Sequence, residues 1–295
     1  MYGCESMNIH LVDGTYELFR HFFALPSRLD SDGKEVGALV GVVRSVISMI
    51  RGGATHLGVA TDHTVESFRN NMYEGYKTGD GIDPDLWGQF HPMEDALRAI
   101  GVVVWPMIEQ EADDGLAAAA VKAAADSRVE RVLICTPDKD LAQCVRGDSI
   151  VQLDRRQGVT RNESGIEDKF GVLPESIPDY LGLVGDAADG FPGLPRWGAK
   201  SAATLLAHYR KLEKIPKDES QWAVKARGAA ALAVSLRENW PDALLFRDIA
   251  TLRTDAEVFS DVEELKWSGP TDVLPALCER LGVPEVVDEV ARLLP

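Results

Sequence analysis

The chain has 295 residues, 45% hydrophobic and 26% charged, an ordinary soluble composition with room for two domains or one large one. Its four cysteines (Cys4, Cys135, Cys144, Cys278) show neither CxxC nor Cys/His spacing, which sets aside zinc and a disulfide framework and fits a reducing, cytoplasmic compartment. The formal net charge of −16 argues at first sight against a nucleic-acid partner, since phosphate binding needs Lys and Arg. Nine carboxylates singled out below account for −9, leaving −7 elsewhere, and carboxylates gathered around metal ions do not count as free charge. The start MYGCESMNIH lacks a signal-peptide layout, and the best apolar run, 36–50, is interrupted by Arg44, so no membrane partner is expected.

The first strand is predicted over 8–12 and ends at Asp13-Gly14, which leaves the start open between Met1 and Met7. A helix follows through Tyr16, Phe19 and Phe23, and another over 38–51 stops at Gly52-Gly53. A second strand, 56–61, ends at Asp62. Residues 64–91 are polar and carry Arg69, Tyr73, Tyr76 and Lys77 before a Gly/Asp-rich patch. They read as a loop, or a mobile pair of helices, over a site. A helix at 91–100 and a strand at 102–105 lead to Glu111, Asp113 and Asp114, which open an alanine-rich helix. Acids in a first turn complement the helix dipole, but three or four exceed what a cap needs.

The fourth strand, Val132 to Cys135, is the apolar run of a strand buried on both faces, and it stops at Thr136-Pro137 before Asp138 and Asp140. A fifth is predicted at 149–153. Alternating strands and helices to about 155 predict a doubly wound, mainly parallel α/β domain, here 1–170, followed by a helical domain, 171–295. In the second, two helices flank a turn with Asp186, Asp189, Gly190, Pro192, Gly193, Pro195 and Gly198, and Lys200 opens the second helix. Exposed backbone groups and free helix N–H groups suit a sugar–phosphate backbone and read no bases. The rest is predicted as amphipathic helix, with Lys211, Lys214 and Lys217 on a solvated face and Trp222, Trp240 and Trp267 in the core.

The candidate constellation is therefore Asp13, Asp62, Glu111, Asp113, Asp114, Asp138, Asp140, Asp186 and Asp189. All-oxygen ligands suit Mg²⁺ or Mn²⁺. So many carboxylates in one crevice stay ionised only if cations compensate them. Two divalent ions roughly 4 Å apart would do so and would serve phosphodiester hydrolysis.

In order, Asp13-Gly14, Asp62, FRNNMYEGYK (68–77), EADD (111–114), TPDKD (136–140) and GDAADGFPGLPRWGAKSA (185–202) resemble the 5′-nuclease family. The likeness is strongest to the 5′-3′ exonuclease domain of bacterial DNA polymerase I, with flap endonucleases as relatives. It covers about 8–210 and continues weakly through LRENWPDALLFRDIATLRTD (236–255). The resemblance implies a PIN-like domain with a helical arch at 64–91, then a helix–three-turn–helix motif at about 174–210. It assigns Asp13, Asp62, Glu111 and Asp113 to one ion and Asp138, Asp140 and Asp186 to a second, with Asp114 and Asp189 in support. Lys77 and Arg69 become phosphate contacts in catalysis. Gly193, Arg196, Gly198, Lys200 and Ser201 become duplex contacts, with a K⁺ ion at the hairpin carbonyls.

Two positions depart from the family pattern: Asp80 opens an acidic run where a basic residue is usual, and Arg196 stands where a second glycine is common. The expectation is a free-standing, monomeric 5′ nuclease acting on DNA with a 5′ end or flap, or on an RNA–DNA hybrid, in primer or flap removal and repair. A PIN-like endoribonuclease is the rival among enzymes, and the hairpin after Asp186 argues against it. A non-catalytic nucleic-acid-binding protein would have lost some of the acids, and none is lost. A DxD phosphatase would need its nucleophile in a first-strand DxD, which Asp13-Gly14-Thr15 lacks.

Overall fold

The computed structural model describes residues 7–294, so Cys4 and a start at Met1 fall outside them. In chain order the elements begin β1 (Met7–Asp13), α1 (Gly14–Ala24), α2 (Gly37–Arg51), β2 (His56–Asp62), α3 (Pro84–Trp87) and α4 (Phe90–Ala99). Next come β3 (Val103–Met107), α5 (Ala112–Ala124), β4 (Val129–Cys135), β5 (Ile150–Asp154), β6 (Val159–Arg161) and α6 (Glu163–Phe170). The remainder holds α7 (Ile177–Val184), α8 (Ala199–Tyr209), α9 (Ala229–Glu238), α10 (Trp240–Ala250), α11 (Leu274–Arg280) and α12 (Glu285–Ala291). The chain divides into two compact units, each drawn from more than one stretch of sequence.

The first unit takes the chain up to Val65, Gly79–Thr136 and the chain from Thr254 onward. Its strands lie in the order β3-β2-β1-β4, each pair parallel. Ile9, Leu11 and Val12 of β1 are fully buried, as a central strand requires. From β1 the chain moves outward to β2 and β3, then returns past β1 to β4. The winding therefore reverses between β1 and β4, and crevices beyond the strands' carboxyl ends form at such a reversal. Asp13 sits at that edge, its backbone beside Ala60, and Asp62 closes β2 two residues further on. Gly58 in β2 is demanded by packing: a Cβ there would stand 2.1 Å from the Trp105 ring. Apart from Leu116, the buried apolar side chains of α5 are alanines, among them Ala117, Ala119, Ala120 and Ala123, small enough for the helix to lie close on the sheet. The late segment closes this unit. Trp267 donates its backbone N–H to Thr55 O at 2.8 Å and its Nε1 to Ile100 O at 2.7 Å.

The second unit is Glu66–Thr78 with Pro137–Arg253. It holds an antiparallel β5–β6 hairpin and the helices α6 to α10 around a core that includes Phe191, Trp197, Leu205, Leu236 and Phe246. Helices α7 and α10 approach closely at Gly182, where a Cβ would meet Arg247 N at 2.9 Å and Ala243 O at 3.0 Å. Buried Asp179 accepts from Leu212 N at 3.0 Å and holds Lys211 Nζ at 3.3 Å. Lys211 is therefore an anchor rather than part of a solvated basic face. Trp222 and Trp240 pack partly buried against this core, as expected of them.

Two sequence expectations are corrected here, and one strand is added. Of the two readings of the 64–91 insertion, the structure has the loop and no pair of helices: it has a 3₁₀ turn at Phe68–Asn71 and the single-turn α3, and Gly79 passes to the other unit. Gly75, Gly79, Gly81 and Gly88 deny it helix propensity. Residues 251–273 form no amphipathic helix beyond a 3₁₀ turn at Val262–Leu265. The three-residue β6 was too short to leave a pattern of its own. Among the described residues, no helix is long and apolar enough to cross a membrane.

Candidate metal centre

Within the first unit, the strand-end and helix-start carboxylates are tied to backbone. Asp13 Oδ1 accepts from Tyr16 N at 2.8 Å, capping α1, while Oδ2 accepts from Thr136 Oγ1 at 3.1 Å. Asp62 donates its N–H to Thr15 Oγ1 at 2.8 Å, and its Oδ1 accepts from Ala112 N at 2.8 Å. Buried Glu111 stands at the N-cap of α5, and its N–H donates to Asp114 Oδ2 at 3.0 Å. Asp114 is fully buried and, through that hydrogen bond, orients Glu111. Asp113, in the same first turn, is half-buried. Burying three of these groups, Asp13, Glu111 and Asp114, costs free energy that hydrogen bonds to the charged forms only partly return.

The second unit supplies the other four acids. Asp140, Asp186 and Asp189 each offer a carboxylate oxygen, and these atoms lie within 4.8 Å of one another. Ligand oxygens stand about 2.0–2.6 Å from Mg²⁺ or Ca²⁺, so two of them on opposite sides of one ion span about that distance. Asp138 is exposed; its Oδ1 accepts from Asp140 N at 2.9 Å, and its carbonyl accepts from Gln152 Nε2 at 2.5 Å. The turn after β4 therefore aims Asp140 inward and leaves Asp138 out. Asp186 is fixed by a two-way backbone pair with Phe191, at 2.8 and 3.0 Å.

Two lysines answer this charge. Lys139 Nζ lies 2.6 Å from Asp186 Oδ2, and Lys77 Nζ lies 2.9 Å from Asp189 Oδ1. Burial pulls the Lys139 ammonium down, yet its hydrogen bond to Asp186 and the charges of Asp186, Asp140 and Asp138 outweigh that and raise it. Asp140 is pushed well above the usual carboxylate range, first by burial and then by the charges of Asp138, Asp189 and Asp186. Its Oδ1 is buried with no hydrogen-bond partner. An orphaned, buried carboxylate oxygen among converging acids fits a hard divalent cation better than any neutral role.

The 75–77 segment is seated on the loop that carries Asp189. Lys77 N donates to Asp189 O at 2.9 Å, and Asn70 Nδ2 holds Lys77 O at 2.9 Å. Gly190, at φ +87°, lets the two backbones meet, since a Cβ there would fall 2.1 Å from Gly75 O. Lys77 thus points its ammonium at Asp189. Arg69 does not reach toward a phosphate, and that expectation is corrected. It is 2% exposed, its Nε donates to Ile249 O at 2.8 Å, and its guanidinium lies 4.5 Å from the Phe68 ring. An arginine that saturates buried carbonyls is a structural clamp.

The hairpin between α7 and α8 is tight. Gly185 and Gly193 have φ of +82° and +67°, and a Cβ on either would strike the other's backbone region within 2.5 Å. Leu194 N donates to Leu183 O at 2.9 Å, and Ser201 Oγ both accepts from Gly198 N at 3.1 Å and donates to Gly198 O. Arg196 holds φ +72°, the left-handed conformation that explains why glycine suits its position. Lys200 is exposed on the first turn of α8. Lys139 was visible only as the residue between two aspartates. Its role comes from the reach of its side chain to Asp186, which spacing does not encode.

Residues 8–171 match the model of the 5′-3′ exonuclease N-terminal resolvase-like domain, and residues 172–272 match that of the 5′-3′ exonuclease C-terminal SAM fold. DNA polymerase I of Pseudomonas aeruginosa is 34% identical over 96% of this chain, which spans 31% of that relative. A 5′-3′ exonuclease of Buchnera aphidicola subsp. Baizongia pistaciae is 31% identical over 90% of this chain and 88% of its own length. The fold is shared with T5 5′-exonuclease solved with divalent zinc ions (TM-score 0.64, 18% identity, covering 96% of this chain and 99% of that one). It is also shared with the catalytic core of Rad2 solved with a DNA substrate (TM-score 0.64, 17% identity, covering 98% and 93%).

Proposed function

This chain belongs to the 5′-3′ exonuclease family, and from that premise we propose a divalent-metal-dependent, structure-specific 5′ nuclease that hydrolyses phosphodiester bonds of DNA. The observation that carries the reading is the convergence of Asp140, Asp186 and Asp189 around a buried carboxylate oxygen without a partner. Mg²⁺ or Mn²⁺ is the cation that this oxygen-only donor set suits. One ion falls to Asp140 and Asp186, with Asp138 and Asp189 beside them. The other falls to Asp13, Asp62, Glu111 and Asp113, with Asp114 orienting Glu111. Such ions supply an activated water and charge for the leaving oxygen.

The chain's own residues do the remaining work. Lys77, held beside Asp189, offers an ammonium to a phosphate. The α7–α8 hairpin grips duplex backbone through Gly193, Arg196, Gly198, Lys200 and Ser201, with K⁺ at its carbonyls. The substrate is DNA with a 5′ end or flap, an RNA–DNA hybrid included, and the setting is a cytoplasmic monomer.

The test is cleavage of a 5′-labelled double-flap DNA in Mg²⁺ and in EDTA, by wild type and by Asp186→Asn. Metal-dependent flap release that Asp186→Asn abolishes supports the reading. Wild type that leaves the flap intact in both Mg²⁺ and Mn²⁺ but cuts single-stranded RNA would replace it with an endoribonuclease.

A further inference from the structure

An open groove of about 580 Å³ runs beside the first turn of α8 and is lined by Arg196, Lys200, Lys225 and Arg227, with Ser201 and Thr204 between them. No acid lines it, in a chain with 47 acidic residues against 31 basic ones. Four other cations of this unit are paired instead: Lys77 with Asp189, Lys139 with Asp186, Lys211 and Arg247 with Asp179. All four groove cations are exposed, and none has an ion-pair partner among the described residues. Four like charges around one groove repel each other and are relieved by an anion that spans them.

Two of the four belong to the hairpin; Lys225 and Arg227 come from a stretch with no motif. Their placement follows from the local chain. Along 222–227 exposure alternates: Trp222, Val224 and Ala226 are half-buried toward the unit's core, and Ala223, Lys225 and Arg227 face out. Alternation of period two puts both cations on one side. The stretch is pinned at its start, where Trp222 Nε1 donates to Pro216 O at 2.7 Å and Ala223 N donates to Tyr209 Oη at 2.8 Å. A wall held in this way keeps its charges in place before any ligand arrives.

We propose that Lys225 and Arg227 form a second wall of a duplex-backbone clamp. They would engage phosphates of the same DNA duplex that the α8 hairpin grips, and they would act in binding, with no part in bond cleavage. The lining offers cations and hydroxyls to phosphate oxygens, contacts that position a duplex without carrying sequence information. The proposal rests on the nuclease reading for the identity of its ligand.

The test uses the full chain and the double variant Lys225→Gln/Arg227→Gln, with Lys214→Gln, whose exposed lysine lies outside the groove, as the control. Binding to a labelled DNA duplex is followed by anisotropy in EDTA at several salt concentrations. Each lost phosphate contact lowers the slope of log K against log salt by about 0.9, so the double variant should lose about 1.8 and bind on the order of tenfold more weakly. In Mg²⁺ its KM on flap DNA should rise while kcat stays within about twofold. Its Tm should equal or exceed that of wild type, since removing unpaired like charges does not harm the fold. A wild-type salt slope in the double variant, with wild type still cutting the flap, would sink the clamp and leave the nuclease standing. Wild type that neither binds duplex nor cuts the flap would remove both.

Discussion

Lys139 Nζ sits 2.6 Å from Asp186 Oδ2, so a cation of the protein itself occupies a carboxylate proposed to hold the metal. A divalent ion held by this set would have to compete with the Lys139 ammonium for that oxygen. Lys139→Met removes the competitor and leaves Asp140 and Asp186 less compensated. Calorimetric titration with Mn²⁺ should show severalfold tighter binding than wild type. Without metal the variant should melt earlier, and Mn²⁺ should raise its Tm by more. Unchanged affinity would mean that the lysine does not compete.

The burial and like charges that raise Asp140 make it a destabilising group when it is ionised. A carboxyl raised in the folded state contributes its full stability below its unfolded-state pKa and loses it as pH climbs through the folded one. In EDTA, Asp140→Asn should therefore be more stable than wild type near pH 7, and the difference should shrink as pH falls toward 4. Thermal melts across that range test it. The same substitution should abolish metal-dependent cleavage, a trade of activity for stability expected at such a site.

Arg196 pays for a left-handed backbone that glycine takes freely, at about 1–2 kcal/mol for an L-residue. Arg196→Gly should raise the unfolding free energy by roughly 0.5–1 kcal/mol, after the greater freedom of glycine in the unfolded chain is allowed for. It should also flatten the salt dependence of duplex binding by about one phosphate contact. Urea melts and the anisotropy titration read the two effects separately.

Arg69, buried on Ile249 O and beneath Phe68, should behave as a folding residue. Arg69→Ala should cost about 3–5 kcal/mol, because the carbonyls it satisfies stay buried. Chemical denaturation measures this. A variant as stable as wild type but slow in single-turnover cleavage would return Arg69 to the substrate.

Four of the acids were legible because each stands where a buried apolar run stops: Asp13 and Asp62 at the ends of β1 and β2, Asp138 and Asp140 after β4. Period-two and apolar runs carry that signal within a few residues. The glycine-rich hairpin was equally visible, since turns of that tightness admit few other residues. Three things escaped. The 64–91 stretch left a loop and a pair of helices both open, and the choice between them lay in glycines whose weight the function-bearing residues masked. Arg69 looked like a contact because sequence does not show burial, and its carbonyl partners lie 180 and 182 residues away. Lys225 and Arg227 have no motif, and only the fold brings them to α8.

The unit that carries the first strands also needs the last stretch of the chain, from Thr254. On the ribosome, then, β1 to β4 emerge early but cannot be sealed until Trp267 arrives to meet Thr55 and Ile100. The second unit, whose own last residue is Arg253, is complete in sequence before the first one is. Vectorial synthesis would leave the nascent β-sheet as the late finisher, waiting open while the helical unit closes.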